Sequence, residues 1–411
     1  MEQINFRVYG YRWVVLLAFM FATAVNQLLW ITFAPITGAA ARYYGVSDLS
    51  IGILSMSFMI VYIFVSIPAS WVIDTYGIRV AVGIGAALTG LFGLLRGLLA
   101  SNYNLVLMAQ IGIAIGQPFI LNALTKVAAR WFPIQERATA SGLGSLSMYL
   151  GIIVGLALTP YLTIQAGLSS MLVIYGVVSV IAAVAFFAFA REYPPTPPCP
   201  PGQDERSLVF DGLVQTLRKG NFIVLLLVFF VGLGVFNAVT TWIEDIVRPR
   251  GFTITQAGII GGLMILGGIV GALVIPSLSD RTRKRVPFIT LALAGAIPGL
   301  AGITYATSYW LLLASAFVLG FFLLSAGPIG FQYGAEVAYP APEGTSNGLL
   351  LLMGQISGIA FIFGMDSFRS PGTGSMTPSL VVLIGLMVVG VLLCTRLRES
   401  TLLTGTASQR G

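Results

Sequence analysis

The chain contains no histidine. That excludes His-ligated metal sites, Ser-His and Cys-His nucleophile pairs, and an axial histidine for haem. Its two cysteines, Cys199 and Cys394, build no disulfide framework. Charge is scarce, at 9% of residues against about a quarter in soluble domains. No Gly-x-x-x-x-Gly-Lys-Ser/Thr segment is present to signal ATP drive, and no Asn-x-Ser/Thr sequon occurs. An enzyme at membrane depth would need a nucleophile, base or metal ligands, and these absences leave those roles unfilled. The expectation is therefore no enzyme, no cofactor, no metal and no use of ATP.

What the chain has in quantity is apolar sequence. Stretches at about 13–36, 51–73, 78–99, 103–126, 138–160, 168–190, 221–243, 255–278, 287–306, 309–335, 345–365 and 376–395 each run about 20 residues or more. A helix of that length crosses ~30 Å of hydrocarbon. The runs lack the period-two alternation of barrel strands, so about twelve helical spans are expected, with both termini on one side. Seventeen of the 22 basic residues fall in gaps on that side. Arg42, Arg248, Arg250 and Arg369 fall on the other, and Arg96 lies inside a span near its outer end, where it is expected to snorkel. The bias places both termini in the cytoplasm of a multi-pass protein of the cytoplasmic (plasma) membrane. It also accounts for an isoelectric point near 9.5 without a nucleic-acid partner.

The longest inner gap, about 191–220, splits the spans six and six and carries the run Pro194-Pro195-Thr196-Pro197-Pro198-Cys199-Pro200-Pro201. Such a segment is a stiff tether. The expected organisation is an N-terminal six-helix bundle over 1–192, a cytoplasmic linker over 193–218 and a C-terminal six-helix bundle over 219–411. The halves read as repeats. Aligning Pro118 with Pro328 pairs Asn122 with Gln332 and Lys126 with Glu336, and past the next loop Tyr149 with Gln355. Parallel repeats of this kind carry a solute site near the midplane and work by alternating access.

Ser70-x-x-x-Asp74-x-x-Gly77-x-Arg79, echoed by the Asp280-Arg281 loop, resembles the inner-loop signature of the major facilitator superfamily, with Ser70 for glycine and Thr75 for arginine. The fold expected is that superfamily's all-α arrangement of two six-helix bundles. The resemblance implies an inner gate at Asp74, Arg79, Asp280 and Arg281. Helix-end capping accounts for the same residues equally well. Lys126 and Glu336, at matched inner ends of spans four and ten, are a further candidate gate pair, against simple snorkelling.

A narrower resemblance rests on Gly116-Gln117-Pro118-Phe119-Ile120-Leu121-Asn122-Ala123, on Ala128-Ala129-Arg130-Trp131-Phe132-Pro133, on Asn26 with Trp30-Ile31, and on Gly354-Gln355-Ile356-Ser357-Gly358. These are similar to the FLVCR (feline leukaemia virus subgroup C receptor-related) family. Members of that family carry choline and ethanolamine, and haem transport has been proposed for them. The resemblance implies that Trp30 packs on a cationic head and that Gln355 lines the cavity. An indole face attracts a desolvated ammonium by about 2 kcal/mol. A belt tryptophan and a helix-gluing glutamine are the alternatives. The chain departs from the family in having Tyr149 for a glutamine in span five and Asn237 for a tyrosine in span seven, which bears on the substrate.

Further polar candidates at membrane depth are Asn26, Gln117, Asn122, Gln332, Asn237 and the neighbouring Trp242. Glu244 and Asp245 are candidate coupling sites, or else one end of a Glu244–Arg248 ion pair. Gly151-x-x-x-Gly155, Gly258-x-x-x-Gly262 and Gly267-x-x-x-Gly271 put small faces on spans five and eight, for close helix approach or a mobile seam. The expected function is a secondary transporter, uniporter or ion-coupled, for an amine or quaternary ammonium solute, acting as a monomer among membrane lipid. A proton-coupled carrier of another neutral or anionic metabolite is the alternative, and a non-transporting sensor the remote one.

Overall fold

The protein is described here by a computed structural model covering residues 8–196, 216–339 and 343–399. Most of the expected linker, with Cys199, lies outside the described residues. The chain divides into two compact units, Met1–Arg206 and Ser207–Gly411. Among the described residues, twelve helical segments are long and apolar enough to cross a membrane, and there is no strand.

Unit 1 comprises α1 (Arg12–Ile31), α2 (Thr37–Tyr44), α3 (Asp48–Tyr76), α4 (Ile78–Leu98), α5 (Tyr103–Leu121), α6 (Leu124–Trp131), α7 (Ile134–Ala166) and α8 (Leu168–Phe189). Unit 2 comprises α9 (Gly220–Thr241), α10 (Ile243–Val247), α11 (Ile254–Thr282), α12 (Val286–Tyr305), α13 (Tyr309–Ala338), α14 (Glu343–Ser367) and α15 (Thr377–Cys394). Helix starts are capped as polar residues at those positions predict. Asn102 accepts from Asn104 and Leu105 N–H, and Thr253 with Gln256 forms a capping box.

Two breaks matter for the site. The first span is interrupted after Ile31, where Thr32 and Phe33 lead into a 3₁₀ turn, Ala34–Ile36, containing Pro35. The fourth span breaks at Asn122–Ala123, four residues past Pro118, whereas its repeat partner α13 runs unbroken through Pro328. Proline removes one backbone donor in each case, so the ring alone does not decide whether a helix breaks.

The small faces on spans five and eight pack inside their own units. Gly151 backs onto Ala24 of α1, and Gly267 and Gly271 back onto Phe317 and Phe321 of α13. A side chain at any of the three would collide with backbone, which fits close approach and leaves no slack for a seam there. Gly262 has open space around it.

Candidate functional site

A polar group at membrane depth must find a partner or be held open for one. On that criterion the predicted residues fall into two sets. In unit 1, Asn26 is fully buried, donates to Thr89 Oγ1 at 3.0 Å and accepts from Gln27 Nε2 at 3.3 Å. Asn122 sits at the break in the fourth span. It accepts from the Tyr62 hydroxyl at 2.7 Å and donates to Ser66 Oγ at 3.0 Å and Ser70 Oγ at 3.1 Å. Ser70 is the residue that replaces the signature glycine, and here its hydroxyl helps to hold the helix break. Trp30 is 6% exposed and donates its indole N–H to Ser55 O at 3.3 Å. Gln117, also 6% exposed, and the half-buried Tyr149 differ from these: neither side chain hydrogen-bonds to any described residue.

Unit 2 divides the same way. Asn237 Nδ2 donates to Gly354 O at 3.1 Å, across α9 and α14. Trp242 is 0% exposed, donates to Ile362 O at 3.1 Å and has the Arg369 guanidinium 5.5 Å from its ring centroid. Gln332 is exposed and donates to Glu336 Oε1 at 3.2 Å. Gln355 is half-buried, with no hydrogen bond among the described residues.

Glu244 and Asp245 are both buried. Arg248 reaches Glu244 Oε2 at 3.0 Å and Asp245 Oδ1 at 2.6 Å, and Arg369 reaches the same Asp245 oxygen at 3.1 Å. The nearby Arg250 donates instead to the carbonyls of Ala306 and Ile246, and burial lowers its pKa.

Arg96 corrects the expectation of snorkelling. It is 0% exposed, donating to Leu29 O at 2.9 Å and Gln110 Oε1 at 2.7 Å, with Phe33 against its guanidinium. Snorkelling needs a path to water, and the polar end of α1 offers this charge better partners than the interface does.

At the signature-loop ends, Lys126 and Glu336 each join a cluster within their own unit. Lys126 Nζ lies 2.7 Å from Asp74 Oδ1 and also caps Ile73 O. Glu336 Oε1 accepts from Arg285 Nε at 3.3 Å, and Arg285 also pairs with Asp280. Burial disfavours the Arg285 charge, but the two carboxylates outweigh it and raise its pKa. Arg79 and Arg281 are exposed, and neither guanidinium forms an ion pair among the described residues.

The sequence pattern described as Major Facilitator Superfamily matches residues 19–362. The chain belongs to the major facilitator superfamily. It is 31% identical over 388 residues to solute carrier family 49 member A3 of Xenopus tropicalis, covering 90% of this chain and 80% of that one. It is 29% identical over 411 residues to the choline/ethanolamine transporter flvcr2b of Danio rerio, covering 93% and 84%. The fold matches a bacterial homologue of the human lysosomal transporter Spinster, solved inward-facing and occupied, with a TM-score of 0.72 at 16% identity over 96% of this chain and 98% of that one. The chain is thus an integral, multi-pass membrane transporter of the major facilitator fold and not an enzyme.

Within this major facilitator, two carboxylates escaped the sequence reading. Glu192 accepts from the N–H groups of Ile78 and Arg79 at 3.0 and 2.6 Å and pairs with Arg130. Glu399 accepts from those of Arg285 and Val286 at 3.1 and 3.0 Å. Each carboxylate caps the helix that follows a signature loop. The signal was an Arg-Glu dipeptide closing each half, Arg191-Glu192 and Arg398-Glu399. Gln110 was not singled out in the sequence and Arg96 was read there as snorkelling, because the hydrogen bond that joins them links two different helices.

Proposed function

We propose that this chain is a secondary transporter that moves a small amine or quaternary ammonium solute, such as choline or ethanolamine, by alternating access. The observation that carries the reading is the set of polar groups left open at membrane depth. Gln117 and Tyr149 in unit 1 and Gln355 in unit 2 make no hydrogen bond to described residues, while Asn26, Asn122, Asn237 and Trp242 are committed to holding helices. An unbonded amide in hydrocarbon is costly, so a group that stays open is one a solute completes. These three groups are amide and phenol, the buried Thr241 hydroxyl also lacks a partner among the described residues, and Trp30 is proposed to add an indole face. None is a carboxylate. That chemistry suits a cation held by an aromatic face and dipoles better than one neutralised by an acid. The similarity to choline/ethanolamine transporters supports the same class.

The proposed setting is the cytoplasmic membrane, with both termini inside on the strength of the basic-residue bias, and with the chain a monomer as the superfamily resemblance implies. Asp74 with Lys126, and Asp280 with Arg285 and Glu336, are proposed to lock the inner ends, with Arg79 and Arg281 free to pair as the gate moves. A second reading, proton coupling at Glu244 or Asp245, rests on their burial, where a bound proton would compete with the ion pairs to Arg248 and Arg369. Uptake of labelled choline into proteoliposomes tests both. Saturable uptake blocked by ethanolamine supports the first reading, and uptake driven by a pH gradient and uncoupled by Glu244→Gln or Asp245→Asn supports the second. Uptake of carboxylates with no competition from amines overturns the ammonium assignment.

A further inference from the structure

Arg96 stands out among the remaining groups because its charge sits at membrane depth in unit 1 with no carboxylate partner among the described residues. Such a residue calls for an account. Its partners supply one. Helix α1 stops at Ile31, so its last carbonyls lack intrahelical donors. Thr32 Oγ1 satisfies Leu28 O at 2.8 Å, and Arg96 Nη1 satisfies Leu29 O at 2.9 Å. Arg96 Nη2 lies 3.4 Å from Thr32 Oγ1, and Phe33 stacks against the guanidinium at 5.6 Å. A cation at a helix C-terminus is favoured by the aligned peptide dipoles, which is how this charge is kept without an acid.

The second partner extends the effect. Gln110 Oε1 accepts from Arg96 at 2.7 Å, which turns its amide N–H groups toward Leu29 O at 3.5 Å and Leu54 O at 3.3 Å. Leu29 precedes Trp30. Leu54 precedes Ser55, whose carbonyl accepts the Trp30 indole N–H. One buried pair therefore fixes the backbone on both sides of the hydrogen bond that orients the indole.

We propose that Arg96, acting with Gln110, is a positioning residue that sets the orientation of Trp30 toward the solute and hence the affinity and selectivity for ammonium compounds. The inference rests on Trp30 contacting the solute, as proposed above. Arg96 is fully enclosed, so its own contact with the solute is not part of the role. Lysine can keep the charge and one of the carbonyl contacts but not the fork that holds Leu29 O and Gln110 together.

The test is choline uptake by the full chain in proteoliposomes, resolved into KM and maximal rate, for Arg96→Met, Arg96→Lys, Gln110→Met and Trp30→Ala. Misplaced contacts act on affinity, so Arg96→Met is expected to raise KM by about tenfold or more. Arg96→Lys should recover part of that, and Gln110→Met should raise KM with the charge still in place. Choline should also lose its advantage over a neutral competitor in the same order. Should Arg96→Met not fold, the Gln110→Met and Arg96→Lys pair carries the test alone. A raised KM in Trp30→Ala with an unchanged KM in Gln110→Met and Arg96→Lys overturns the positioning role and leaves the ammonium reading standing. An unchanged KM in Trp30→Ala overturns both. A fall in maximal rate and thermal stability with KM constant assigns Arg96 to folding alone, against the proposal.

Discussion

The signature-loop ends of the two units solve one problem with opposite charges. In unit 1 the loop aspartate, Asp74, meets a lysine from the fourth span, Lys126, and the pair neutralises itself. In unit 2 the aligned positions are Asp280 and Glu336, two acids, and Arg285 at the start of α12 pairs with both. Each loop also closes with a glutamate on the next helix's first amides, Glu192 and Glu399. What the repeat keeps is therefore a clasp of loop, fourth helix and sixth helix, and the sign at any one position is free to change if a neighbour compensates. The turn geometry differs as well. Gly77 takes φ +89° with Glu192 packed against it, while the unit 2 turn puts Arg283 at φ 52°.

The largest expected effect comes from making unit 2 resemble unit 1. Glu336→Lys places a second cation against the buried Arg285 and should cost about 3–5 kcal/mol, the range for breaking a buried pair. Adding Arg285→Gln should restore part of the loss by letting the new lysine meet Asp280. Thermal unfolding in nanodiscs measures both, and a double variant no better than the single would break the comparison. Gly77→Ala comes next, at about 1–3 kcal/mol, because it strains the left-handed turn and displaces Glu192. Its mirror, Arg283→Gly, should instead stabilise by up to about 1 kcal/mol, read in the same assay. Lys126→Glu in the more exposed unit 1 pair should cost about 1 kcal/mol in stability, and Lys126→Glu with Asp74→Lys should recover it.

Across neutral pH the Arg285 clasp should hold steady. A raised pKa means that the stability this guanidinium contributes is complete below its ordinary value and is lost only as pH climbs past the folded one, far into alkali. A transport rate that changes between pH 6 and 8 in both wild type and Arg285→Gln would place the titrating group elsewhere.

The spans and their number were legible because hydrocarbon imposes a single rule on every run of about 20 residues. The helix breaks were less so. Pro118 and Pro328 are matched in sequence, yet only the unit 1 span breaks, where Tyr62, Ser66 and Ser70 converge on Asn122. The polar residues within the spans were legible as a list, but which of them are satisfied by a neighbouring helix was not. Asn26 and Gln117 look alike in sequence. Only the presence of Thr89 opposite one, and of no described donor or acceptor opposite the other, separates a helix clamp from an open amide. Arg96 shows the same limit. Its distance from a span end suggested an escape to water, while the unpaired carbonyl of Leu29 that retains it belongs to another helix.

The open groups are proposed to meet the solute and the satisfied ones to hold the fold. Saturation binding of labelled choline, set beside thermal stability, tests it directly in Gln117→Leu, Tyr149→Phe and Gln355→Leu against Asn26→Leu and Asn237→Leu. The account predicts that the first three variants lose affinity while keeping the wild-type melting temperature, and that the last two lose stability first. Wild-type affinity in all three open-group variants, or choline loss confined to the asparagine variants, would contradict it.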